Sequence, residues 1–200
     1  VVAFKPCKEN FLYCTCASGF VENLTVTYGV GLTVGSVPPS KYNHCVRDVV
    51  FRNITMHRPL KGIHIKSNPG NEGRGMVANI SYENIKMYDA MWWPIWIGPQ
   101  QMSEPNGYYA GCSMKYPLDK TCPTNPLVTI TDISLQNVIS VGGLNPYPGV
   151  ILCNASNPGK NFFFRRVKMT RGEHSAYSEQ YIVKHVHGVD ISSEPDVSFM

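Results

Sequence analysis

Short blocks of alternating apolar and polar residues recur along the chain, most of them with an asparagine near the middle. Residues 48–56 read DVVFRNITM and residues 79–87 read NISYENIKM; related blocks begin at Asp132 and Asn161, and a weaker one begins at Asn23. Alternation with a period of two is typical of a β-strand with one buried face. Asparagine tolerates the left-handed backbone of a bend. Each block therefore predicts two brief strands joined by a bend.

The return of the same block indicates a repeat architecture. A unit of this size cannot bury its apolar face alone, so equivalent strands of successive units are expected to stack. One coil per unit, with strand on equivalent strand, is a parallel β-helix. The prediction is an all-β fold in a single domain over residues 1–200, with a long groove suited to a polymer. The wide interval between the blocks at residues 79 and 132 leaves room for an inserted loop at about residues 99–126.

The central asparagines of the blocks lead to a prediction about side chains. Asn53, Asn84 and Asn137 should lie one above another in equivalent bends and share hydrogen bonds along the stack, and Arg166 should break this ladder. In that arrangement the amide of Asn53 is expected to turn inward.

Composition narrows the class of protein. Hydrophobic residues make up 43% of the chain, which is ample for a core, and 17 glycines with 15 prolines predict many turns. No apolar stretch approaches the roughly 20 residues of a membrane helix, so no membrane partner is expected. Eighteen basic residues against fourteen acidic ones leave a net charge of +4. This is too mild for a nucleic-acid-binding protein, but it is compatible with an acidic polysaccharide as partner.

The seven cysteines favour an oxidising compartment and thus an extracellular, secreted protein. Cys112 and Cys122 bracket a segment with turn residues and are predicted to close the inserted loop with a disulfide. Cys16 and Cys45 each precede a repeat block and form the second predicted pair. The odd number leaves a free thiol, or a partner outside this sequence. The usual Cys-x-x-Cys spacing of a zinc site is absent, so neither a metal site nor a cofactor is predicted.

Four N-x-S/T sequons, at Asn23, Asn53, Asn79 and Asn154, indicate N-linked glycans and agree with secretion. Asn154 lies in a segment rich in turn residues and is expected to be the most accessible of the four. Asn23 and Asn79 open their blocks and rank as intermediate sites. Asn53 occupies the ladder position, where its amide would be unavailable to a transferase.

Four segments in order along the chain carry a resemblance to a known family. Residues 1–5 read VVAFK, residues 29–36 read GVGLTVGS, residues 62–66 read GIHIK and residues 93–97 read WPIWI. In this order they resemble glycoside hydrolase family 28, the polygalacturonases and their pectin-degrading relatives. The resemblance implies a right-handed parallel β-helix of the pectin-lyase type that acts on pectin or another acidic cell-wall polysaccharide. In that family two aspartates precede the run matched by residues 1–5, so this chain is expected to begin just after them and to be the C-terminal part of a longer one.

The resemblance also implies site residues. Family members hydrolyse with an acid and a base carboxylate, whose positions would lie upstream of Val1, so no catalytic residue is expected in this chain. The histidine position is Val30, whose side chain cannot transfer a proton. The arginine position is His64, which cannot grip a carboxylate in a bidentate manner. Only Lys66 keeps the residue of the family pattern. His64 and Lys66 are the expected substrate contacts.

A third expected substrate contact is Trp96. It falls between Ile95 and Ile97 on a strand with a period of two, so it should face away from the core and offer its ring to a sugar. Interpretations without a role in binding stay open at this site: Lys66 would be a solvated lysine and His64 a neutral surface histidine. Further basic residues either extend the site or are scattered surface charge: Arg58, Lys61 and Arg74.

Two functions from different classes follow. The first is a secreted polygalacturonase-like hydrolase of which this chain is a part, with the carboxylates supplied by an upstream segment of the same protein. The second is a non-catalytic, glycosylated β-helix that binds glycans, or that assembles with itself as a structural subunit of an extracellular wall or fibre. The order of the matching segments favours the first, whereas Val30 and His64 favour the second. In either case this chain alone is predicted not to cleave polygalacturonate.

Overall fold

A computed structural model describes residues 2–9, 18–38, 42–69, 73–101, 111–171 and 177–200. In these ranges the regular elements are β-strands, and they contain no helix that is long and apolar enough to span a membrane. The strands are β1 (Val2–Phe4), β2 (Cys7–Glu9), β3 (Gly19–Thr27), β4 (Leu32–Val37), β5 (Asn43–His57), β6 (Lys61–Ser67), β7 (Arg74–Tyr88), β8 (Trp93–Pro99), β9 (Val128–Val141), β10 (Gly149–Leu152), β11 (Gly159–Thr170), β12 (Ile182–Lys184) and β13 (Val186–Ile191).

The strands stack in two sheets. The first has the order β1-β4-β6-β8-β10-β12, and the second has the order β13-β11-β9-β7-β5-β2, with β3 also paired to β5. Apart from the pairs β1–β4 and β2–β5, neighbours in a sheet are separated in sequence by one strand of the other sheet, so the chain passes between the sheets and returns once per coil. β2 runs antiparallel to β5, whereas the stacked pairs such as β5 with β7 and β6 with β8 are parallel. The prediction of an all-β parallel β-helix is confirmed.

Side chains at equivalent positions of successive coils form columns inside this solenoid. One column consists of Phe51 on β5, Tyr82 on β7, Leu135 on β9 and Phe164 on β11, which are in register and fully buried. The rings of Phe51 and Tyr82 stack with their centroids 4.8 Å apart. Burial stabilises the fold by about 25 cal/mol per Å² of apolar surface. Because each member of a column is covered by the coils above and below, this stabilisation requires several coils.

A ladder of asparagines follows one bend of each long strand. Asn23, Asn53, Asn84 and Asn137 have φ angles between 53° and 55°. The Nδ2 of Asn53 donates to Asn23 Oδ1 at 3.3 Å, that of Asn84 to Asn53 at 3.1 Å, and that of Asn137 to Asn84 at 2.9 Å. The predicted stack with shared hydrogen bonds is confirmed. Arg166 keeps the same backbone conformation, with φ 54°, but its side chain has no amide that could continue the ladder.

The ladder faces solvent, which corrects the expectation that the Asn53 amide turns inward. Phe51 and Ile54 are buried, whereas Arg52 is half-buried and Asn53 is exposed. A regular strand alternates between its two faces, so two inward residues separated by two outward ones require a break in the alternation. The left-handed residue provides this break. Its amide then bonds to the coils above and below without entering the core.

A second set of left-handed residues marks the start of each block. Asp48, Asn79, Asp132 and Asn161 have φ angles between 52° and 57°. The Asp48 carboxylate accepts a hydrogen bond from Asn79 Nδ2 at 2.7 Å, and the Asp132 carboxylate accepts one from Asn161 Nδ2 at 2.8 Å. Aspartate next to asparagine avoids the repulsion of like charges on strands that lie about 4.8 Å apart. Each long strand therefore bends at two stacked positions.

The described cysteines include disulfide-bonded residues and one free thiol. A disulfide joins Cys112 to Cys122, and Cys45 is also disulfide-bonded. Cys16, its predicted partner, lies outside the described residues, so that pair stays a prediction, as does the full extent of the inserted loop. Cys153 is a buried free thiol, and burial raises its pKa to about 12. It is therefore protonated at neutral pH.

Replacing Asn84, an inner rung of the ladder, should destabilise the fold in two separable ways. Asn84→Gly loses the side-chain hydrogen bonds but tolerates the left-handed backbone, so we expect a loss of about 1 kcal/mol in the free energy of unfolding. Asn84→Ala also loses the backbone preference, so we expect a loss of about 2–3 kcal/mol. Urea denaturation measures both. The control is Lys86→Ala, an exposed position on the same strand, and equal losses in the two Asn84 variants would contradict the role of the bend.

Candidate functional site

The outer face of the first sheet brings polar side chains from several coils together. On β6, Ile63 and Ile65 belong to the main core, so the alternation of the strand places His64 on the outer face. The register partners of His64 are Thr33 on β4 and Trp96 on β8. These residues form a row that runs along the stack of coils.

Lys66 lies on the same outer face, two residues after His64, and is half-buried. Its register partners are Gly35 on β4 and Gly98 on β8. The φ angles of these glycines, 99° and 153°, are ones that residues with a side chain rarely adopt, and a Cβ on Gly35 would clash with the carbonyl oxygen of Lys66. Neither flanking position carries a side chain, so the side chain at this level of β4, β6 and β8 is that of Lys66.

The far end of the outer face is apolar and covered. Trp96 points away from the main core, as its alternation predicts, but it is fully buried. Its ring meets that of Tyr116 edge to face, with centroids 6.2 Å apart, and its Nε1 donates to the carbonyl oxygen of Pro99 at 2.9 Å. The expectation that Trp96 offers its ring to a sugar is therefore wrong, because the disulfide-closed segment packs over it. The covering cluster consists of Trp93, Trp96, Cys112, Tyr116, Val150 and Leu152.

Lys61, at the start of β6, is buried beside His64. From the sequence it was expected either to extend the basic edge of the site or to be scattered surface charge. Its Nζ lies 3.5 Å from His64 Nε2. The same atom lies 4.9 Å and 5.1 Å from the ring centroids of Trp92 and Trp96. A cation near the face of an indole is attracted by the ring. The sequence signal was missed because both indoles come from the next coil, some thirty residues away.

The sequence was then compared with known proteins. Residues 17–189 match glycosyl hydrolases family 28. The chain belongs to this family. It is similar to two exopolygalacturonases from Zea mays, with 26% and 28% identity over 140 residues. Each alignment covers 69% of this chain and 30% of the relative, so the chain spans about 30% of the length of these relatives. No solved structure matches.

Three residues were expected from the family-28 resemblance to stand at functional positions: Val30, His64 and Lys66. His64 and Lys66 lie on the outer face of β6. Val30, at the histidine position, is half-buried in the turn before β4, where its carbonyl oxygen accepts a long hydrogen bond of 3.5 Å from Thr33 Oγ1. The isopropyl group of Val30 has neither a donor nor an acceptor. A substrate could therefore be held by β6 but gains no hydrogen bond from the side chain of Val30.

Burial and neighbouring positive charges disfavour protonation at this family-28 site. Burial, followed by the charge of Lys66, lowers the pKa of Lys61 to about 7. Burial, followed by the charges of Lys61, Lys66 and Lys5, holds the pKa of His64 well below its ordinary value. The imidazole is therefore neutral, but it is buried, which corrects its placement as a surface histidine. A protonated Lys61 donates to Nε2 and leaves the imidazole proton on Nδ1.

The chemistry available to this group is anion binding. Lysine ammonium groups bind carboxylates through charge-assisted hydrogen bonds, and Lys66 is only half-buried. The Nδ1 of His64 is buried and lacks a hydrogen-bond partner among the described residues. Within the same part of the chain, no group of three His, Cys, Asp or Glu side chains could hold a metal ion.

The sequons differ in exposure from the ranking expected from sequence. Asn23, Asn53 and Asn79 are exposed on the bends, whereas Asn154 is half-buried. The Nδ2 of Asn154 donates to the carbonyl oxygen and the Oγ1 of Thr124, at 3.2 Å and 3.0 Å. Asn154 is therefore less accessible than the other three, because its turn folds back onto the segment after Cys122.

The lowered pKa of Lys61 predicts how stability depends on pH. Between the pKa of the folded state, about 7, and that of an unfolded lysine, about 10.4, the unfolded chain binds the extra proton. The free energy of unfolding should therefore rise with pH in this window and be lowest below it. Relative to Lys61→Met, the wild type should gain roughly 1–3 kcal/mol between about pH 6.5 and pH 9.5, measured by urea denaturation. The difference between the two proteins removes the titration of all other groups. A difference that does not change with pH would contradict the burial of a titrating Lys61.

Proposed function

We propose that this chain forms part of the substrate groove of a polygalacturonase-like protein and contacts an acidic polysaccharide of the pectin type. The observation that carries the proposal is Lys66, half-buried on the outer face and flanked by two glycines. Each uronate of such a polymer presents a carboxylate, which a lysine ammonium binds well. Membership of family 28 and similarity to exopolygalacturonases support the same class of ligand.

The shape of the solenoid supports a polymer as ligand rather than a single sugar. Equivalent outer-face positions recur from strand to strand at spacings of about 4.8 Å, so successive sugars can follow the stacking direction. Lys66 is half-buried, whereas His64 and Thr33 in the next row are polar but buried. At Trp96 the outer face is covered by the apolar cluster. A chain of sugars would therefore contact the face at Lys66 and end at the cluster.

Hydrolysis also requires groups that the known site positions of this chain do not supply. Inverting glycosidases use an acid and a base carboxylate roughly 6.5–9.5 Å apart, and neither Val30, His64 nor Lys66 carries a carboxyl group. General acid–base assistance typically contributes 10²–10⁴-fold. We therefore propose that the carboxylates come from another segment of the protein and that this chain alone does not cleave polygalacturonate.

A second candidate function is that of a non-catalytic glycan-binding or structural β-helix. The specific observation in its favour is the pair of residues Val30 and His64 at positions where the family resemblance expects histidine and arginine. Both substitutions weaken the machinery for turnover, but they leave the lysines that can hold an anion. Self-assembly would then provide a structural role in a wall or fibre.

Binding of oligogalacturonate at about pH 6 should be weak and sensitive to salt, and the chain should release no reducing sugar. Since Lys66 contacts the anion directly, Lys66→Ala should weaken binding roughly tenfold. Calorimetric titration measures affinity, and a reducing-sugar assay measures turnover. The matched control is Lys86→Ala, on the second sheet.

Two results would refute separate parts of the proposal. Affinity that is unchanged in Lys66→Ala would show that the ligand binds elsewhere. Turnover by the purified chain would show that it contains its own acid and base. A neutral galactan oligomer should not bind, because it lacks the carboxylates.

We also propose that the protein is secreted and carries N-linked glycans at Asn23 and Asn79, with Asn154 less occupied. A glycan on Nδ2 leaves that nitrogen one N–H, which is enough for the single hydrogen bond from the exposed Asn79 to Asp48. Asn154 would lose one of its two hydrogen bonds to Thr124. Glycopeptide mapping of the chain from a secreting eukaryotic host should therefore find higher occupancy at Asn79 than at Asn154. The reverse order would mean that the Asn154 turn does not pack on Thr124 when the glycan is added.

A further inference from the structure

Lys61 is a lysine buried against uncharged side chains among the described residues. The residue is 5% exposed, and its ammonium contacts two indoles and a neutral imidazole. None of the ion pairs among the described residues includes it. Burying a charge without an opposite charge destabilises a fold. Buried ionisable groups with a shifted pKa cluster at functional sites.

We propose that Lys61 is a specificity-determining residue of the groove. From its buried position behind the outer face it supplies a second positive charge that, together with Lys66, holds the carboxylate of a uronate. Binding is therefore strongest when Lys61 is protonated. This inference rests on the function proposed above. In this proposal Lys61 supplies the positive charge that the family resemblance expects from an arginine at the position of His64.

The arrangement of β6 supports this division of roles. His64 lies between the two lysines along the strand, with its Nε2 3.5 Å from Lys61 Nζ. The charge of Lys66 lowers the pKa of Lys61, and both charges lower that of His64. The three groups are therefore within electrostatic reach of one another. A carboxylate bound at Lys66 would interact with Lys61 through protein rather than through water. Within protein the attraction between the two charges is only weakly screened.

The groups around Lys61 determine the direction of its pH dependence. His64 and Lys66 face it from β6, and Lys5 acts on the same imidazole from beyond β1. The uncharged rings of Trp92, just before β8, and of Trp96, on β8, also lie against it. Without ligand the pKa of Lys61 is about 7. A sugar carboxylate remains ionised above about pH 4. Affinity should therefore fall as the pH rises through 7, and a bound anion should in turn raise the pKa of Lys61.

Calorimetric titration of the whole chain with oligogalacturonate at about pH 5.5, 7 and 8.5 tests this inference. The wild type should lose roughly tenfold in affinity over that range. Lys61→Met should bind at the lowest pH as weakly as the wild type does at the highest, with little dependence on pH. Lys86→Met is the matched control, an exposed lysine of the second sheet, and should keep the profile of the wild type.

A measurement on the wild type keeps the test independent of whether Lys61→Met folds. The NMR resonance of the Lys61 ε-methylene group reports its titration, and the midpoint should move to higher pH when oligogalacturonate is added. An unmoved midpoint, or a wild-type profile in Lys61→Met, would overturn the role of Lys61 while the groove itself stands. A wild type that binds no oligogalacturonate at any of these pH values would overturn the proposed function, and the role of Lys61 with it.

Discussion

The structure depends on residues that hold a left-handed backbone at the same place in successive coils. Asp48 and Asn79 lie in one such row, and Asn53 and Asn84 lie in a second. Each bend resets which face of the strand points inward, so it decides which side chains enter the core. A bend displaced by one residue would exchange the inner and outer faces of all that follows. The hydrogen bonds along the ladders keep the bends aligned and thereby keep the apolar columns in register.

The same constraint builds the site on the outside of the first sheet. Because Ile63 and Ile65 enter the core, the alternation of the strand places His64 and Lys66 on the outer face. The aromatic rings around Lys61 then give two neighbouring lysines different surroundings. Lys66 is half-buried, whereas Lys61 is enclosed. A uniform scaffold thus places chemically similar side chains in unlike environments, which is what a site needs for selective binding of an anion.

Local patterns predicted the fold well because the solenoid is built from local rules. Alternation, the asparagine bends and the return of the blocks were enough to expect stacked parallel strands and the ladder through Asn53. Burial on the outer face could not be obtained in this way. The alternation around Trp96 correctly gives its face, but its cover comes from the segment that holds Tyr116, and periodicity carries no information about that contact. Lys61 was missed for the same reason, since the rings that enclose it belong to Trp92 and Trp96 of the next coil.

The two rows of bends also bear on how such a protein can change during evolution. Within a coil the members of the two rows are five positions apart, as in Asp48 and Asn53, Asn79 and Asn84, and Asp132 and Asn137. The insertion or deletion of one residue inside this interval would shift the register of one coil relative to both of its neighbours. Variation in length must therefore occur in the connections between strands, or by the duplication of whole coils. Related sequences can be expected to differ there by large insertions while the short interval stays constant, so that the protein grows in steps of one coil.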